Sequence, residues 1–129
     1  ALGAHSLQIS ATGRQLDGTA EPTQSVSLTV TVVIVNSPTS LSAISETTIG
    51  STVSLTVFSV VASDPDGIAS VTASLDGVAY SLLQVGTTYS FSVPTSAAHP
   101  GPHTVVFTAV GLLPDGAVEQ ARVVSYFIP

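Results

Sequence analysis

Gly101-Pro102-His103-Thr104-Val105-Val106-Phe107-Thr108-Ala109-Val110-Gly111 rewrites an earlier stretch, Gly3-Ala4-His5-Ser6-Leu7-Gln8-Ile9-Ser10-Ala11-Thr12-Gly13. Each copy runs on into an Asp-Gly pair (Asp17-Gly18, Asp115-Gly116) and then a glutamate (Glu21, Glu119), all at one offset of 98 residues. A period of that size is about one all-β sandwich domain. The chain therefore reads as the tail of one repeat followed by a whole second repeat. Residues 1–35 are expected to be the closing hairpin of a preceding domain, and residues 36–129 a complete one.

Period-two alternation dominates the rest of the chain, and no stretch has helical periodicity. Val, Thr, Ser, Ile and Tyr are abundant, which suits a pleated, half-buried surface. A first hairpin is predicted from His5 to Thr12 and Ser25 to Val33, followed by a linker at Val35-Asn36-Ser37-Pro38, where proline interrupts a ladder. Strands are then predicted over 39–44, 52–62, 69–75, 78–83, 88–93, 103–109 and 121–128, the spacing of an antiparallel β-sandwich. Val53, Leu55 and Val57 share one parity and Phe58, Val60 and Ala62 the other, which predicts a β-bulge near Val57–Phe58. The hairpin at 1–33 poses a physical problem, because two strands alone are marginal in water. Upstream sequence or another subunit must complete it, and upstream sequence is the expected source.

The composition excludes several function classes. The 129 residues carry Lys+Arg 2 against Asp+Glu 8, a net charge of -6. With Arg14 and Arg122 as the cations, neither a phosphate backbone nor an anionic membrane surface finds a partner. Charged residues make up 8% of the chain, so Ser and Thr carry most of the polar surface. The mean hydropathy is +0.54, yet no run approaches the ~20 apolar residues of a membrane helix. With Cys 0, neither disulfides nor a thiolate zinc site can form. The chain has Met 0 and opens inside a strand pattern. It is thus expected to be a piece of a longer polypeptide whose targeting signal lies upstream.

Ala62-Ser63-Asp64-Pro65-Asp66-Gly67-Ile68-Ala69-Ser70-Val71, followed by Leu75-Asp76-Gly77-Val78, resembles the turn and strand of bacterial immunoglobulin-like domains. Thr88-Tyr89-Ser90-Phe91 and Gly101-Pro102-His103-Thr104-Val105 are similar to two later strands of that family. The resemblance covers residues 36–129, and for the last two strands also 1–33. It implies an immunoglobulin-like sandwich of about seven strands. By analogy it also implies an extracellular or cell-surface location and a spacer role in adhesins, surface layers or multidomain polysaccharide-degrading enzymes. Gly13 and Gly111 stand where the family usually has an aspartate, so one loop carboxylate is missing here.

In a sandwich of this order the Asp64–Asp66 loop and the Asp115–Glu119 loop project from one end. Asp64, Asp66, Asp115 and Glu119 are thus candidate Ca²⁺ ligands, since Ca²⁺ takes six to eight oxygens. The competing reading is that Asp64-Pro65-Asp66-Gly67 and Pro114-Asp115-Gly116 are turns in which Asp accepts local backbone bonds. No cofactor is required on either reading. His5 and His103 recur at one place in both copies and read as strand-start residues rather than zinc ligands, which would need three or four donors. No Gly-x-Ser-x-Gly elbow accompanies the serines, so catalysis is not expected. Most aromatics fit core parities and there is no Trp, leaving Tyr80 and one of Tyr126 and Phe127 as candidates for an exposed sugar-binding surface. The absence of lysine on the edge strands is unusual, because charges normally protect edges from pairing. Neighbouring repeats or identical subunits are the expected partners, in a filament, sheath or surface layer. Surface polysaccharide, met by an adhesive or carbohydrate-binding module, is the alternative; nucleic acid and membrane insertion are not expected.

Overall fold

Leu7, Ile9 and Ala11 alternate with Gln8 and Ser10, and Val26, Leu28, Val30 and Val32 with Ser27, Thr29 and Thr31. Those two segments form β1 (Gly3–Ala11) and β2 (Gln24–Val32), an antiparallel pair with Leu7 opposite Leu28 and Ile9 opposite Val26. The computed structural model describes residues 3–33 and 35–129. The chain divides into two compact units, Ala1–Val35 and Asn36–Pro129.

The second unit is built from short strands: β3 (Ser40–Leu41), β4 (Ser45–Ile49), β5 (Leu55–Ser63), β6 (Ile68–Leu75), β7 (Val78–Tyr80), β8 (Leu83–Val85) and β9 (Thr88–Pro94). The single-turn helix α1 (Thr95–Ala98), β10 (His103–Gly111) and β11 (Arg122–Ile128) complete it. One sheet has the order β3-β5-β9-β8, with β4 also paired to β5, and the other has the order β11-β10-β6-β7. Every pairing is antiparallel. This is an all-β sandwich with the immunoglobulin order of strands.

The core lies between the sheets and is filled by alternate residues from each. Phe58, Val60 and Ala62 from β5 and Tyr89, Phe91 and Val93 from β9 meet Ala73 and Leu75 from β6, Val105, Phe107 and Ala109 from β10, and Ile128. Phe91 is central, with ring centroids 5.5 Å from Phe58, 5.7 Å from Phe107 and 4.8 Å from Tyr80.

Two expectations about strands are corrected. No bulge interrupts β5 at Val57–Phe58, because its pairing with β9 runs unbroken from Leu55 to Val61. Thr56, Phe58, Val60 and Ala62 are buried, while Leu55 and Val57 are half-buried on the outer face and Val53 precedes the strand in an exposed turn. The register shift falls instead where β10 ends against β6, between Val110 and Gly111. The segment predicted as one strand over 78–83 is two, β7 in one sheet and β8 in the other. The chain crosses between sheets at Ser81-Leu82.

The duplication is reproduced in three dimensions. His5 pairs with Val30 as His103 pairs with Ile128, and Ile9 with Val26 as Phe107 with Val124. The following loops share their bonds too. The Gln15 N–H donates to the Thr19 carbonyl at 2.8 Å, and the Leu113 N–H to the Ala117 carbonyl at 2.7 Å. Asp17 and Asp115 each accept the N–H two residues on, at 2.9 and 3.0 Å. Gly18 and Gly116 supply the positive φ, 87° and 85°, that the turn requires.

Candidate functional site

The β10–β11 loop returns to the end of β10, where the Glu119 N–H donates to the Gly111 carbonyl at 2.9 Å. That bond aims the Glu119 side chain at the first residues of the unit. Its carboxylate accepts the Thr39 N–H at 2.9 Å, the Thr39 hydroxyl at 2.5 Å and the Asn36 side-chain amide. The Thr39 hydroxyl also lies 2.9 Å from Asp64 Oδ2. Thr39 is 4% exposed, so two carboxylates converge on one buried hydroxyl. The hydrogen bond from that hydroxyl, then those from Asn36 and the Thr39 N–H, hold Glu119 below the usual carboxylate range; Arg122 adds to the effect and desolvation opposes it. Gly111 makes room for the group, since a Cβ there would collide with the Thr39 hydroxyl and the Asp64 carboxylate.

Of the four predicted site residues, the structure brings Asp64 and Glu119 together through Thr39 and leaves the other two in turns. Asp64 Oδ1 accepts the Asp66 N–H at 2.7 Å, and Asp115 accepts the Ala117 N–H. Among the described residues no group of three or more His, Cys, Asp or Glu side chains is placed to hold a metal ion. The donors that meet Asp64 and Glu119 come from the protein itself. Their arrangement is a polar latch joining the unit's first strand to two loops.

Two further carboxylates lie elsewhere. Asp76, in the β6–β7 turn with φ of 49°, accepts the His103 ring N–H at 2.6 Å and the Thr104 N–H at 2.8 Å. These bonds lower its pKa, the histidine contributing most. Glu46 on β4 meets His99 Nε2. Its hydrogen bond to Tyr126, and then its charge, raise the phenol above the ordinary tyrosine value. His99 and His103 therefore pair with separate carboxylates.

Sequence reasoning missed Thr39 and Asn36 because neither carries a charge or a motif. The available signal was the glycine–glutamate pair recurring at one spacing, Gly13 with Glu21 and Gly111 with Glu119. Tyr80 is corrected from exposed to half-buried, stacked on Phe91 at an interplanar angle of 22°. Tyr126 packs against the core, and Phe127 alone among the described aromatics is mostly exposed, at 61%. Among the described residues no helix is long and apolar enough to cross a membrane. Comparison with protein-family models, with curated proteins and with solved structures gives no match.

Proposed function

We propose that this chain is a non-catalytic structural module of a repetitive extracellular or cell-surface protein, one in which sandwich domains follow one another and set reach. The observation that carries the reading is the second hairpin reproducing the first, register for register and loop bond for loop bond, at an offset of 98 residues. Chance does not copy a β-pairing register together with its loop. The chemistry supports the same reading, because the convergent polar groups hold the unit's own first strand. The aromatic side chains that a sugar platform would need are mostly committed to the core.

A glycan array and a sedimentation series test the proposal. A spacer gives uniform silence on the array and a particle whose extension follows its number of domains. Saturable binding to one class of glycan overturns the reading in favour of an adhesive module.

A further inference from the structure

The face of the β1–β2 hairpin formed by Leu7, Ile9, Val26, Leu28 and Val30 is apolar and exposed; Ile9 is 64% exposed and Val30 46%. The second unit shows what covers such a face. Phe107 and Ile128, at the same register positions, are 0% exposed because β5 and β9 pack on them. The outer edge of β10 is also occupied, by β6, with Phe107 opposite Ala73 and Val105 opposite Leu75. The matching edge of β1 carries no formal charge to protect it from pairing. A third difference is polar. Glu119 receives three hydrogen bonds from Asn36 and Thr39, whereas the Glu21 side chain receives none among the described residues.

We propose that the β1–β2 hairpin is a docking surface for a strand body of the Asn36–Pro100 kind, carried ahead of Gly3 on the same polypeptide. That body lays a β6-like strand along β1 and β5- and β9-like strands over Ile9 and Val30. Its leading segment brings an amide and a hydroxyl, spaced as Asn36 and Thr39 are, to Glu21. A second folded copy of this chain is the weaker occupant, because its strand body is already closed by its own β10–β11. That hairpin is tethered to the site at high effective concentration. The proposal rests on the repeat reading above, but concerns the hairpin alone and survives or fails independently of any glycan result.

The test replaces Ala1-Leu2 with a copy of residues 36–100 joined directly to Gly3, the junction that the offset dictates because Gly3 occupies the place of Gly101. Amide hydrogen exchange is followed over β1 and β2 in the 129-residue chain and in the extended one. Exchange across β1 is expected to slow by about a hundredfold on extension, as a strand edge passes from exposed to core. Glu21→Ala should lower the melting temperature of the extended chain and leave that of the shorter chain unchanged. A second extended chain carries Ile9→Phe, Leu28→Tyr and Val30→Ile, which restore the side chains of the second unit. Protection confined to that repacked chain, or absent from both, overturns the proposal. Protection already present in the 129-residue chain, with a dimer in sedimentation, also overturns it and makes a second copy the occupant.

Discussion

Glu119 Oε2 accepts both the N–H of Thr39, at 2.9 Å, and its hydroxyl, at 2.5 Å, across a sequence separation of 80 residues. That side chain thus ties the loop after β10 to the segment leading into the first strand, which β5 holds through a two-residue pairing and through bonds between Ser42 and Val61. Thr39 is buried, so removing its hydroxyl takes away the donor that Glu119 and Asp64 share, although each keeps other hydrogen bonds. Thr39→Val is expected to destabilise the unit by about 1–3 kcal/mol in urea unfolding. Glu119→Ala should lower the melting temperature of the 129-residue chain, and Glu21→Ala should not. Equal effects of the two glutamates would show that the latch contributes nothing.

Gly111 is needed for space rather than for an unusual φ. Thr39 cannot retreat without leaving its bonds to Glu119, so Gly111→Ala is expected to cost about 1–3 kcal/mol, as overpacking does. At Gly13 the group a Cβ would meet is the end of the Glu21 side chain, which can swing aside, so Gly13→Ala should be close to neutral. Calorimetry on the pair of variants checks the asymmetry. If Gly111→Ala is neutral, the packing described around Thr39 is wrong.

The same two glycines show what the sequence could and could not convey. Their recurrence with Asp-Gly and Glu at a fixed spacing was legible, and it pointed to two like hairpins; the shared registers and loop bonds came from the structure. Their purpose was not legible, because a glycine kept for clearance and a glycine kept for a turn look alike in one chain. Glu119 was visible as a carboxylate near Asp64. Its partners were not, since an uncharged threonine 80 residues away leaves no trace in local pattern. The apparent conflict of parity in β5 had a comparable origin. Leu55 and Val57 are apolar yet lie half-buried on the outer face, and β-branched or aliphatic residues on that face mimic a second buried row.

Acid should weaken the unit through its paired carboxylates. The folded state lowers the pKa of Glu119 and of Asp76, so each is stabilised in its ionised form. Such a group contributes fully above its unfolded value and loses the contribution as pH falls through the folded one. The melting temperature is therefore expected to be flat from neutrality to about pH 5 and to decline below about pH 4. Glu119→Gln and Asp76→Asn should each make that decline shallower. Curves parallel to the parent chain would remove these groups from the account of acid sensitivity.

Calcium offers a separate test of the loops. Asp64 and Glu119 already receive protein hydrogen bonds, while Asp66 and Asp115 sit in their own turns, so a cation would have to displace Asn36 and Thr39 to gain a ligand sphere of six or more oxygens. Millimolar Ca²⁺ is expected to leave the melting temperature unchanged, and chelator likewise. A concentration-dependent rise would follow from selective binding to the folded state, and would convert the latch into a metal site.

Phe107 and Ile9 occupy one position in the duplicated hairpin and should respond oppositely to truncation. Phe107 is fully buried against Phe91, so Phe107→Ala removes both transferred area and packing, at a cost of about 3–5 kcal/mol. Ile9 is largely exposed, so Ile9→Ala in the same 129-residue chain is expected to change the stability of the second unit by less than about 0.5 kcal/mol. Chemical unfolding followed by tyrosine fluorescence reads that unit, because Tyr80, Tyr89 and Tyr126 all belong to it. A large loss from Ile9→Ala would mean that the hairpin already leans on a partner surface in this chain. A small one means that the stability of the second unit does not depend on Ile9.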